Sequence, residues 1–174
     1  AENGRVIKVA FKRLYDRVWK CANGLKKLDR ACGDRVIIYL PMGIDAVVAM
    51  QACARLRLTH SVVFGGFSAK SLNERIIDAG AVAVITSDGQ FRGGKALPLK
   101  PAVDEGMAMA GCASIKNVVV LRKTGHEVAG NTNNVRWHDR IAGHANTWEP
   151  GRVGAGGGAR RRRFCRCQSA QSQA

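Results

Sequence analysis

Long apolar stretches and Cys-x-x-Cys units are both missing from this sequence. No run of about 18 consecutive apolar residues occurs, so we expect no membrane-spanning helix. No basic segment leads into an apolar one near the first residue, so we expect no secretory leader. The cysteines lack the Cys-x-x-Cys units of zinc sites, and no metal site is predicted. We interpret the chain as cytoplasmic with reduced cysteines, namely Cys21, Cys32, Cys53, Cys112, Cys165 and Cys167.

Acidic residues are scarce, and their distribution divides the chain into two parts. The 174 residues include 28 Lys and Arg against 13 Asp and Glu, a net charge of +15. Residues 151–174 contain six of the arginines and no acid, which leaves a net charge of +9 for residues 1–150. We therefore expect a mixed, folded body over residues 1–150 and a Gly/Arg-rich tail over residues 151–174.

The tail has several interpretations. Its arginines could bind nucleic acid or anionic lipid without specificity, which would make the chain a basic binding module. It has no aromatic spacing and no groove-reading helix, so we expect no specific nucleic-acid partner. A Gly, Arg, Ala and Cys bias without acids is typical of GC-rich coding sequence read out of frame. We favour that interpretation, which predicts disorder from residue 151 onward; a non-functional pseudogene product is a further alternative.

Hydrophobic spacing alternates between helical and strand patterns along the body. Helices are predicted over residues 11–28, 44–56, 68–79 and 101–110, and strands over residues 36–40, 61–64, 82–86 and 118–121. The second helix is apolar nearly all round and is predicted to be buried. In the third, Ser71 and Glu74 have the spacing of a capping box, and Gly80 is a helix stop. The order predicts an α/β fold, a parallel sheet with helices on both faces.

Two glycine pairs follow predicted strands, where ligands bind in open parallel sheets. Gly65 and Gly66 follow the second strand, and a polar loop of Arg92, Gly93, Gly94 and Lys95 follows the third. Glycines let a ligand approach the backbone, Arg and Lys attract phosphate, and Phe64 offers a flat face to a base. On physical grounds alone, a tight turn and a solvated basic loop are the simpler interpretation.

Five blocks in order resemble the acetyl-CoA synthetases of the adenylate-forming superfamily, over about residues 5–150. The resemblance implies that Arg92, Gly93, Gly94 and Lys95 hold the phosphates of coenzyme A. It also implies that Phe64, Gly65 and Gly66 lie beside the nucleotide of coenzyme A. The blocks are residues 34–42, 46–55, 60–68, 72–80 and 92–105.

Three segments depart from the family pattern. The turn at residues 28–34 differs from the usual Leu-Gly-Val-Lys-Lys-Gly-Asp. Arg57 stands in Leu-Arg-Leu where an Ile-Gly-Ala-like stretch is usual, so we expect strain in the turn before the second strand. Gly106 stands where a helix former is usual, at a propensity cost of about 1 kcal/mol.

The resemblance also implies what these 174 residues do not contain. The family forms acetyl-AMP from acetate and ATP, with Mg²⁺, and then transfers the acetyl group to coenzyme A. No Ser/Thr/Gly-rich phosphate loop occurs in the sequence, and neither do the adenosine motifs or the small C-terminal domain with its catalytic lysine. We therefore expect part of the large N-terminal domain of a ligase, with a partial coenzyme A site, no catalytic residue and no activity by itself.

Overall fold

The computed structural model describes residues 8–28, 31–128 and 134–138. The described helices are α1 (Phe11–Lys26), α2 (Ile44–Arg55), α3 (Ala69–Ala79) and α4 (Lys100–Ala108). The described strands are β1 (Arg35–Leu40), β2 (Thr59–Phe64), β3 (Ala83–Ser87), β4 (Gly89–Arg92), β5 (Lys95–Pro98), β6 (Asn117–Leu121) and β7 (Asn134–Arg136). The tail predicted over residues 151–174 lies outside these ranges.

Five strands form one parallel sheet in the order β2-β1-β3-β6-β7. The central strands are β-branched and almost fully buried, as expected of a sheet covered on both faces. Strands β1, β2, β3 and β6 run in the same direction, so their carboxyl ends lie along one edge. The parallel α/β sheet predicted from the hydrophobic pattern is confirmed.

Alternate residues of β1 enter two separate hydrophobic clusters. Val36, Ile38 and Leu40 pack with α1 and α2 on one face, whereas Ile37 and Tyr39 pack with α3 and α4 on the other. This alternation follows from the two-residue period of a strand. The helices therefore cover both faces of the sheet, as predicted.

Two helix predictions need correction. The capping pair Ser71–Glu74 is wrong, because Ser68 is the N-cap and its hydroxyl oxygen accepts a hydrogen bond from the Ser71 N–H at 3.3 Å. Gly80 does end α3, in the left-handed conformation. Helix α2 is buried on one side only, since Val47 is 37% exposed. An apolar sequence all round does not require burial all round.

The segment after β3 is not the irregular polar loop that the sequence predicted. Strands β4 and β5 pair antiparallel, and Gly93 and Gly94 form the connection between them. A Gly-Gly pair between two short strands is a hairpin signal, because both central residues of the favoured turn need positive φ. Gly93 has φ 57° and Gly94 has φ 77°.

Gly106 has a packing role that its low helix propensity concealed. A Cβ at this position would lie 2.8 Å from the carbonyl oxygen of Ala69, which is backbone and cannot move aside easily. The Asn73 amide donates to the Gly106 carbonyl at 3.0 Å, which fixes α3 against α4. Glycine therefore permits close packing of α3 and α4, which offsets the low helix propensity noted from the sequence.

Arg57 has the strain expected from its sequence context. Its φ is 60°, and among the described residues it is the one non-glycine with positive φ. Such a conformation costs an L-residue about 1 kcal/mol or more. Residues 29 and 30 of the preceding unusual turn lie outside the described residues.

Near the far end of the described chain, Trp137 follows β7 and is 5% exposed in the cluster of α1 and α2. Within the described residues, no helix is long and apolar enough to cross a membrane.

Candidate functional site

The β4–β5 hairpin holds two cations side by side. Arg92 and Lys95 flank the Gly93-Gly94 turn and are paired across the ladder. Residues opposite each other in an antiparallel pair project to the same side, and like charges there repel unless an anion lies between them. Within the described part of the chain, carboxylates pair with neither Arg92 nor Lys95. The hairpin therefore presents an unneutralised pair of positive groups to solvent.

The Phe-Gly-Gly turn after β2 lies next to this hairpin. The guanidinium carbon of Arg92 is 5.9 Å from the centre of the Phe64 ring, within range of a cation–π contact. A Cβ at Gly66 would lie 2.9 Å from the Arg92 Nη1 atom and 2.9 Å from the ring of Phe64. The absence of a side chain at Gly66 therefore makes room for the arginine. The two segments that the sequence singled out separately are neighbours in space.

The remaining predicted site residues differ in their surroundings. Gly65 is buried, and a Cβ there would lie 3.4 Å from Leu99 and 3.5 Å from the backbone of Leu40. Gly93 and Gly94 are exposed at the hairpin tip, where an added Cβ would meet nothing within 4 Å. These two glycines shape the turn and do not touch the Phe-Gly-Gly segment.

Gln90 joins the two segments, and the sequence analysis missed it. Its side chain is 6% exposed, and its Nε2 donates to the Gly65 carbonyl oxygen at 2.5 Å. Gln90 and Arg92 are two residues apart in β4, so both project toward the Phe-Gly-Gly turn. Once the Gly-Gly hairpin is recognised, this spacing places Gln90 on the same side as Arg92.

An aromatic and basic row continues from Phe64. The rings of Phe64 and Phe67 meet edge to face with centroids 6.2 Å apart, and the guanidinium of Arg75 lies 5.5 Å from the Phe67 ring. The hydroxyl of Tyr39 donates to the Phe67 carbonyl at 2.8 Å and fixes that end of the turn. Both phenylalanines are nearly half exposed. The surface combines flat apolar faces with positive charge.

Asp88 holds the base of the hairpin. Its carboxylate accepts hydrogen bonds from the N–H groups of Gly89 at 2.8 Å, Lys123 at 2.7 Å, Thr124 at 3.1 Å and Gly125 at 2.7 Å. Its carbonyl accepts from the N–H of Leu99 at 3.0 Å. Burial by itself would raise the pKa of Asp88, but these four N–H groups together lower that pKa below its usual value. Asp88 is therefore a structural carboxylate that connects β3, β6 and the hairpin.

The described cysteines form no reactive centre. Cys21, Cys53 and Cys112 are buried and free, and Cys32 is exposed and free. Burial raises the pKa of Cys53 to about 12 and the pKa of Cys21 well above its usual value, so both thiols stay protonated. Among the described residues, no group of His, Cys, Asp and Glu side chains is arranged to hold a metal ion.

The architecture and the site are those of a parallel α/β ligand-binding domain. A parallel sheet with helices on both faces presents a glycine turn and a basic hairpin beyond its strand ends, which is where parallel α/β domains bind ligands. Residues 3–146 match the family model described as AMP-binding enzyme, and the chain belongs to that family. The resemblance drawn from the sequence blocks is thereby confirmed at the level of the family.

The relatives carry related names. The chain is 65% identical over 128 residues to an acetyl-coenzyme A synthetase of Herminiimonas arsenicoxydans, covering 74% of this chain and 19% of that protein. It is 54% identical over 156 residues to an acetyl-coenzyme A synthetase of Cupriavidus necator, covering 89% of this chain and 24% of that protein. The solved acetoacetyl-CoA synthetase from Streptomyces lividans superposes with a TM-score of 0.75 at 26% identity, over 86% of this chain and 23% of that chain. The chain thus spans about a fifth to a quarter of the length of these proteins.

Proposed function

We propose that this chain carries one side of the coenzyme A site of an AMP-forming acetate–CoA ligase. The full reaction joins acetate and coenzyme A at the expense of ATP, through acetyl-AMP, and yields acetyl-CoA, AMP and diphosphate. The observation that carries the proposal is the facing pair Arg92 and Lys95, unpaired with carboxylates among the described residues and adjacent to the Phe64–Gly66 turn. The relatives named as acetyl-coenzyme A synthetases support the acetyl substrate.

Each residue has a role that follows from its chemistry. Arg92 offers a planar pair of N–H donors to a phosphate, and Lys95 adds a compact charge from across the hairpin. Phe64 provides a flat apolar face for the adenine base of coenzyme A. The missing side chain of Gly66 lets Arg92 lie close to this ring, so that the charge and the flat face are adjacent. Gly93 and Gly94 keep the two cations on adjacent strands.

The ATP half of the reaction has no counterpart in these 174 residues. ATP and Mg²⁺ belong to the full-length enzymes that the sequence resembles, and their phosphate loop is absent from this sequence. We take residues 1–150 as part of the large N-terminal domain and residues 151–174 as a separate tail. No residue of this chain is assigned a catalytic role, so purified chain given acetate, ATP and Mg²⁺ is expected to release no diphosphate.

Calorimetric titration of the purified chain with coenzyme A and with 3′-dephospho-coenzyme A tests the binding proposal. Arg92→Ala should weaken coenzyme A binding about tenfold or more, since charge-assisted hydrogen bonds contribute about 1.5–3 kcal/mol each. Arg13→Ala is the matched control, because Arg13 is exposed on α1, against the opposite face of the sheet. Equal affinity of the Arg92→Ala variant and the unaltered chain would remove the phosphate role.

A further inference from the structure

We propose that Gln90 is a positioning residue, one that ties the hairpin to the Phe-Gly-Gly turn and thereby sets the spacing between Arg92 and Phe64. The inference rests on the proposed coenzyme A site and deepens it. Gln90 touches no ligand in this view; it acts through the segment that carries Arg92. By holding Arg92 in place, Gln90 should increase the preference of the site for coenzyme A over its 3′-dephospho form.

The hydrogen bond of Gln90 satisfies a buried group. Gly65 is buried, and a buried backbone carbonyl needs a donor. The Gln90 Nε2 is that donor, at 2.5 Å. The Oε1 of the same amide lies 3.2 Å from where a Gly65 Cβ would be, so the amide packs against this glycine. Glycine at position 65 and glutamine at position 90 are therefore matched to each other.

The hairpin needs such a tie because its other connections are distant from Arg92 or weak. Asp88 fixes the base of the hairpin, and the tip at Gly93 and Gly94 projects into open space. Arg92 itself meets the turn by packing against Gly66 and through a half-exposed aromatic ring at 5.9 Å, both contacts of low energy. Gln90 lies between the fixed base and Arg92, on the side that faces the turn. Removing its donor should let Arg92 move relative to Phe64 without unfolding the sheet.

The test is a double-mutant cycle on the full chain, with coenzyme A and 3′-dephospho-coenzyme A as probes. Gln90→Met keeps the side-chain length and removes the donor, whereas Gln90→Glu keeps the shape and places a carboxylate oxygen against the Gly65 carbonyl, so that the two repel. Each should weaken coenzyme A binding about tenfold, reduce the preference over the dephospho compound, and add little further loss in an Arg92→Ala background. Gln51→Met, at an exposed position of α2, is the control and should bind as the unaltered chain does.

A ligand-free measurement separates this inference from the proposed function. Trypsin cleaves after Arg92 and Lys95, and native-state cleavage at these sites should accelerate in both Gln90 variants by more than their loss of global stability, measured by urea unfolding, accounts for. If the unaltered chain fails to bind coenzyme A while cleavage accelerates, the proposed function falls and the tie between hairpin and turn stands. The role of Gln90 would be overturned if cleavage were unchanged and the Gln90 variants bound coenzyme A normally. It would also be overturned if cleavage were unchanged and their loss of affinity added in full to that of Arg92→Ala.

Discussion

Two glycine pairs that look alike in the sequence owe their glycines to different physical causes. Gly65 and Gly66 have no positive φ, and their missing side chains make room for Gln90 and Arg92. Gly93 and Gly94 have open space around them, and their φ values of 57° and 77° lie in the left-handed region. Glycine is needed at positions 65 and 66 because neighbouring atoms leave little room for a side chain. It is needed at positions 93 and 94 because the backbone adopts positive φ. The same dipeptide therefore predicts different responses to mutation.

The largest expected effect on stability is at Gly65, which has neighbouring atoms close to it on several sides. Gly65→Val adds a branched side chain next to the backbone of Leu40, the Leu99 side chain and the Gln90 amide. Such overpacking costs about 1–3 kcal/mol, and we expect the upper end because one of the neighbours is backbone. Urea unfolding measures the loss.

Gly65→Ala serves as the graded control, since it adds one carbon at distances of 3.2–3.5 Å and should cost less than valine. Equal losses for alanine and valine would contradict the steric explanation and would point to the backbone conformation instead.

The second prediction concerns Asp88, which fixes the base of the hairpin that carries Gly93 and Gly94. Asp88→Asn keeps the shape but weakens hydrogen bonds to a charged acceptor, and it should lower the free energy of unfolding by about 2 kcal/mol at pH 7. The pKa of Asp88 is lowered in the folded chain, so its stabilisation is present above the usual carboxyl range and is lost as pH falls through the folded value.

Unfolding measured between pH 7 and pH 3 checks the sign. The unaltered chain should lose stability below about pH 4, where an ordinary carboxyl group titrates, and Asp88→Asn should have a shallower acid slope. Identical slopes for the two proteins would show that Asp88 contributes no acid-sensitive stability.

Most of the fold could be predicted from the sequence, because each helix and strand is indicated by a few consecutive residues. The β-branched run of β1 and the stop at Gly80 report burial and backbone conformation from a few consecutive residues. Ser68 shows the limit of such signals. Ser68 and Ser71 both lie near the start of α3, and the extended backbone at Ser68 decides between them.

The candidate site was accessible only in part, because its contacts join distant segments. Arg92 and Phe64 were identified one at a time from strand ends and from the family resemblance. Their proximity depends on the hairpin, which the polar sequence around Gly93 concealed. Gln90 and Asp88 act through partners 25 and 35 residues away, and no periodicity in the sequence encodes these partners.

The third prediction distinguishes the two pairs by choice of side chain. Gly93→Ala should cost about 1 kcal/mol, because alanine is strained at positive φ, whereas Gly93→Asn should cost less because asparagine tolerates that region. At Gly66 the order should reverse, since the larger asparagine displaces Arg92 and Phe64 more than alanine does. Thermal unfolding of the four variants gives both orders. The same order at both positions would remove the distinction between the pairs.

Arg57 extends the comparison to another left-handed position, which in this chain is not a glycine. Its φ of 60° is close to the 57° of Gly93, so both positions favour glycine, and an arginine there is strained. Arg57→Gly relieves strain of about 1–2 kcal/mol, but glycine also loses more conformational freedom on folding, which offsets about 0.5–1 kcal/mol. We expect a net gain of about 0.5 kcal/mol in the free energy of unfolding, measured in urea. Arg13→Gly, within α1, removes the same charge and should destabilise the chain by about 1 kcal/mol. A loss of stability in Arg57→Gly would mean that contacts of the arginine side chain outweigh the strain of its backbone.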